Sequence, residues 1–121
     1  MGLDQWLNVY YDDDSNETFT YRKSNFLRGW MIRNTKLNAD SDCEPVDVST
    51  HLLEELYDEC KEVLERHEKA EEILPTYPGF FFGTYDYDDW YFKQVKLVKE
   101  DVENILKRKK EISCMIYEDW W

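Results

Sequence analysis

The chain has 121 residues, 42% of them hydrophobic and 17% aromatic, with only four Gly and three Pro; this excludes a disordered or low-complexity polypeptide and supplies one core. Its 27 acids outnumber 15 bases for a net charge of −12, a sign that opposes direct nucleic-acid binding and docking on an anionic membrane, both of which need Lys and Arg. No apolar run reaches the ~18 residues of a membrane span, and the first residues lack the pattern of a signal peptide, so the expectation is one cytoplasmic domain over residues 1–121.

Taken along the chain, Leu3 to Tyr11 is rich in Trp, Leu, Val and Tyr and reads as a first strand. Asp12 to Asn16 is a polar turn, and Thr18 to Lys23 a second strand, hairpinned to the first. Ser24 or Asn25 can cap the helix that follows, because their side chains accept from free backbone N–H groups. In that helix Phe26, Leu27, Trp30 and Met31 recur at helical spacing, through about Lys36. Residues 37–45 form a loop, and Val46 and Val48 suit a short edge strand.

Ser49 starts a second helix, with Leu52, Leu53, Leu56, Tyr57, Cys60, Val63 and Leu64 on one stripe and acids opposite. It ends before Pro75, with a break near His67. Gly79 to Gly83 reads as a short buried strand or tight connection, and Thr84 to Tyr87 as an aromatic loop. Asp88 caps a third helix whose buried stripe is Tyr91, Phe92, Val95, Val98, Val102, Ile105 and Leu106. Lys107 to Lys110 cluster in its last turn, where the helix dipole favours cations. Ile112 to Tyr117 alternates as a final strand and leads to Trp120-Trp121, an apolar end that packs down. These elements predict an α+β fold: a small antiparallel sheet, the first and last strands at its centre, with about three helices on one face.

Cys43, Cys60 and Cys114 are odd in number and share no CxxC spacing, so neither a disulfide framework nor a zinc site is expected. Cys60 and Cys114 fall on apolar faces, where Cys acts as a small hydrophobe. His51 and His67 lie on one predicted helix, about 24 Å apart along its axis at the standard rise, too far to share a metal. No motif for a hydrolase nucleophile, phosphate loop, zinc protease or dinucleotide fold is present. Asp86 with Asp88 is the best of a weak set of acid–base or metal pairs. No cofactor and no metal is expected, and the chain reads as a binding protein more readily than as an enzyme.

Two segments could bind a ligand. Arg22, Lys23, Asn25 and Arg28 sit at a strand-to-helix junction, where helix N–H groups and guanidinium forks attract phosphate or carboxylate; alternatively these bases pair with the chain's many acids. Thr84, Tyr85, Tyr87 and Trp90 lie in the aromatic loop, whose rings can stack on a base; alternatively Tyr87 and Trp90 belong to the core. A third feature is the acidic helix face bearing Glu55, Glu59 and Glu62. It suits a basic protein partner or mimicry of a nucleic acid, or it is simply solvated.

Met1-Gly2-Leu3-Asp4 followed by Trp6-Leu7, the run Tyr21 to Trp30 and the run Gly79 to Phe92 together resemble a family of small phage and prophage proteins. Those chains begin MGLDMYL and carry YWRKAN-IH-W and GFFFG---YD-WYF segments. The aromatic close, Met115 to Trp120, is similar as well. The likeness spans nearly the whole chain. One departure stands out: Arg28 occupies the place of the family's His.

The resemblance implies a phage or mobile-element setting in a bacterium, and no particular chemistry. Joined to the basic and aromatic segments, it leads to the expectation of a protein that counters bacterial defence by sequestering a small anionic, nucleotide-like signal. The alternatives are an acidic inhibitor that blocks a host defence protein, and a small enzyme of unassigned reaction. Exposed aromatics mark interfaces, and the terminal Trp pair is the candidate surface for a homo-oligomer.

Overall fold

A computed structural model describes residues 2–38, 44–79 and 83–121. The elements run β1 (Asp4–Tyr11), β2 (Asn16–Arg22), α1 (Asn25–Asn34), β3 (Val46–Asp47), α2 (Thr50–Glu65), α3 (Ala70–Ile73), α4 (Asp89–Leu106) and β4 (Ile112–Trp120). The strands form one antiparallel sheet in the order β2-β1-β4-β3, so the first and last strands are its centre, as their apolar content predicts. The α+β reading holds, with the second predicted helix broken near His67 into α2, a 3-10 turn at His67–Lys69 and the single turn α3.

Strand alternation decides which face is buried. On β1, Gln5, Leu7, Val9 and Tyr11 point inward, and on β4 Met115, Tyr117 and Asp119 do. They meet one core with Phe26, Leu27, Trp30 and Met31 from α1, Leu53, Leu56, Cys60 and Val63 from α2, and Tyr91, Val95, Val98, Val102 and Ile105 from α4. These are the stripes expected from the 3.6-residue period.

Helix starts follow their caps. The Ser49 side chain accepts from Leu52 N at 3.1 Å, and Asp88 accepts from Tyr91 N at 3.0 Å. The start of α1 departs from expectation. Ser24 stands at its N-cap but makes no side-chain cap bond; its hydroxyl donates to Gln94 on α4 at 2.8 Å. Tertiary pairing has taken the cap residue and ties α1 to α4.

Two further expectations are corrected. Cys114 does not lie on an apolar inner face: it is exposed, because inward Met115 fixes its neighbour outward on the pleat. The basic run contributes nothing to the last turn of α4, which ends at Leu106. Lys109 falls in a separate 3-10 turn, and Arg108 lies over the Tyr11 ring, 3.8 Å from its centroid. Cys60 is fully buried, and burial pushes its thiol pKa well above the ordinary value. No described helix is long and apolar enough to cross a membrane.

Candidate functional site

The corner between β2 and α1 meets the segment before α4. Asn25 joins them: its Nδ2 donates to Thr84 O at 2.9 Å, and its Oδ1 accepts from Tyr77 N at 3.1 Å. Lys23 turns the corner with a left-handed backbone, φ 58°, held by its N–H to Leu3 O at 2.7 Å. Gly83 (φ 94°) lies against it, so close that a Cβ there would sit 3.1 Å from Lys23 Cβ. Positions about sixty apart in sequence are therefore neighbours, and Lys23, Asn25 and Thr84 share one location. The expected Gly79–Gly83 strand or connection falls largely on Phe80–Phe82, outside the described residues.

The other candidate side chains are placed differently. Arg28 is fully buried, and its guanidinium donates to Asp119 Oδ2 at 2.5 Å. It also lies under Trp121, 5.3 Å from the ring centroid. An anion-holding role for Arg28 is thereby corrected, since a carboxylate of the chain already occupies the guanidinium. Asp119 itself accepts from Tyr117 OH at 2.8 Å, and Tyr117 OH accepts from Gln5 Nε2 at 3.0 Å. Burial, then the Asp119 charge, pushes the Tyr117 phenol far above its ordinary pKa. The result is a buried polar chain from α1 through β4 to β1.

Arg22 projects from the opposite face of the sheet, where it approaches Asp4 at 3.9 Å while 71% exposed. Tyr87 is half-buried: its ring packs edge-on against Tyr91 at 5.0 Å and its hydroxyl accepts from Thr76 N at 3.1 Å. Tyr85 and Trp90 are exposed. The Tyr85 hydroxyl exchanges hydrogen bonds with the Gly79 backbone, and the Thr84 hydroxyl accepts from Asp86 N at 3.1 Å. The loop is thus anchored on itself.

The acidic helix face is real but smaller than the sequence suggests. Glu55 reaches His51 at 3.2 Å, and Glu62 is exposed. Glu59 turns toward α1 and accepts from Trp30 Nε1 at 2.6 Å. It is half-buried, so it is corrected from interaction face to interhelical contact. Its carboxyl pKa is raised, chiefly because burial penalises the charge. A carboxyl raised on folding stabilises most below its ordinary value near 4.5, and that stability is lost as pH climbs through the folded value. Glu59→Gln keeps an acceptor for Trp30 and removes the titration. Its thermal midpoint relative to the parent should therefore be near zero difference in acid and become positive toward neutral pH. A deficit of constant size at every pH would refute this.

One surface goes beyond the sequence reading, which offered only the terminal Trp pair and expected it to pack down, whereas Trp120 is exposed. Outward residues of the two central strands line up across the sheet: Trp6 opposes Glu118, Asn8 opposes Ile116, Tyr10 opposes Cys114 and Asp4 opposes Trp120. Trp6, Tyr10, Ile116 and Trp120 all lie outside the core cluster, and Trp120 is 60% exposed. Asp4, Glu118 and Asp47 stand among them on the same face. The signal was the presence of bulky apolar residues at both parities of β1 and β4, where a sheet covered on one side calls for only one. No cluster of metal-ligating side chains occurs among the described residues. Comparison with protein families, curated proteins and solved structures finds no match.

Proposed function

We propose that the protein is a binding protein that blocks a basic protein surface with the open face of its sheet. The observation that carries this reading is the aromatic strip Trp6, Tyr10 and Trp120 set among Asp4, Asp47 and Glu118 on a chain of net charge −12. Bulky amphipathic rings with a charged rim are the anatomy of a protein interface. The surplus carboxylates speed encounter with a cationic partner and select it. In the setting that the resemblance implies, the partner is a bacterial defence effector and the protein its phage-type inhibitor.

Sequestration of a small anionic, nucleotide-like signal is the second reading. It is favoured by the junction of Lys23 and Asn25 with Gly83 and Thr84, with exposed Tyr85 and Trp90 in the same stretch of chain. It has lost Arg28 to Asp119. The two readings separate in a phage-plating assay on bacteria that carry defence systems and express the protein. In the first, Trp6→Ser and Glu118→Lys abolish the rescue of plating, while Lys23→Ala and Tyr85→Ala preserve it. The reverse pattern, with calorimetric heat on titration with cyclic or linear nucleotides, would replace it with the second. No rescue by the parent protein on any of these hosts would remove the anti-defence setting from both.

A further inference from the structure

The two edges of the sheet are treated differently. The β4 side is closed by β3, only two residues long and preceded by Pro45, a short edge of the kind that resists further pairing. The β2 side is a regular seven-residue strand in unbroken register with β1 from Asn16 to Arg22. It has no Pro, no Lys and no bulge within it. The ladder bonds fix which groups face outward. Lys23 N donates to Leu3 O, and Tyr11 N donates to Ser15 O, so the odd-numbered residues of this strand bond β1. The backbone N–H and C=O groups of Asn16, Thr18, Thr20 and Arg22 therefore point away from the sheet, and β1 is the sole strand beside β2 among the described residues. All four side chains are exposed.

We infer that this edge pairs with the same edge of a second copy, antiparallel and centred on Phe19, to give one continuous sheet across two chains. The register sets Thr18 opposite Thr20 of the second copy and Asn16 opposite Arg22. Outward-facing backbone groups then meet outward-facing groups, and β-branched threonines are good cross-strand neighbours. Charge selects the same arrangement. Antiparallel pairing places the Arg22-Lys23 end of one strand beside the Asp12-Asp13-Asp14 turn of the other copy, and the two-fold axis repeats the contact. Parallel pairing would instead bring the three aspartates of both copies together. The strand itself carries one acid, Glu17, and one base, Arg22. It is therefore a nearly neutral strip on an acidic chain, where two copies can approach with least repulsion. This inference does not rest on the proposed function: it uses an edge of the sheet, not its open face.

Sedimentation equilibrium of the full chain at tens of micromolar should give twice 14.8 kDa. Thr20→Pro removes an N–H that points outward and leaves the β1 ladder intact. It should weaken the dimer by about tenfold or more, as should reversal of the exposed Arg22 to Glu, and added salt should weaken the parent dimer. Circular dichroism establishes that each variant is folded. A 14.8 kDa species for the parent across this range, or a folded Arg22→Glu that dimerises as tightly as the parent, would overturn the inference.

Discussion

Asp119→Ala is expected to lower the free energy of unfolding by about 3–5 kcal/mol, the range for removing one member of a buried ion pair. Both side chains of the Arg28–Asp119 pair are 1% exposed. Deleting the carboxylate leaves the buried guanidinium without the opposite charge of Asp119, and the Tyr117 hydroxyl without its acceptor. Against a total of roughly 5–15 kcal/mol for a domain of this kind, such a loss is a large part of the stability.

The pair itself contributes far less than its removal costs. Asp119 Oδ1 is buried with no hydrogen-bond partner among the described residues, so part of the carboxylate's desolvation is left uncompensated. Replacing both residues together, Arg28→Met with Asp119→Leu, should therefore recover the part of the loss in Asp119→Ala that comes from the unpaired charge, while the Tyr117 hydroxyl stays without its acceptor. Urea titrations with equal slopes for all three proteins give the comparison. A loss below about 1 kcal/mol in Asp119→Ala, within the range of an exposed pair, would show that water reaches this site.

The same pair fixes the role of position 28. Here the residue is locked to β4 by charge and covered by Trp121. Its place is structural: it joins the first turn of α1 to the last inward position of the sheet.

Legibility of the fold from sequence followed the strength of local signals. The stripes of α2 and α4 and the caps Ser49 and Asp88 are written in spacing and side-chain chemistry, and all four appear where they were read. The central position of β1 and β4 followed from their apolar content. What failed needed a partner distant in sequence. Ser24 has the chemistry of a cap, but Gln94 holds its hydroxyl. Arg28 has the chemistry of an anion ligand, but Asp119, 91 positions away, takes it inside. Glu59 matches its acidic neighbours by type, yet Trp30 draws it between helices. At the candidate site, no local pattern encodes the approach of Lys23 and Asn25 to Thr84, since Asn25 makes the junction through backbone groups.

Tyr91 is the other position where a single change should remove a large part of the stability. It is 2% exposed in the first turn of α4. Its ring takes edge contacts from Phe26 at 5.6 Å, Tyr87 at 5.0 Å and Phe92 at 4.9 Å. Its hydroxyl donates to Leu74 O at 2.7 Å, where the chain leaves α3. Burial pushes the phenol well above its ordinary pKa, so it remains a donor through neutral pH. Tyr91→Ala removes the ring and should cost about 3–5 kcal/mol, as for other large aromatic deletions in cores. Tyr91→Phe keeps the ring and loses only the bond to Leu74, so about 1–3 kcal/mol is expected.

The two variants should also differ locally. Tyr87 leans on the Tyr91 ring and holds Thr76 through its hydroxyl, so truncation to Ala frees residues 84–87 from the core while Phe leaves them seated. Amide exchange at Thr76, whose N–H bonds the Tyr87 oxygen, reports this directly. Protection at Thr76 lost equally in both variants would mean that the hydroxyl at position 91, rather than its ring, holds the loop against the body of the protein.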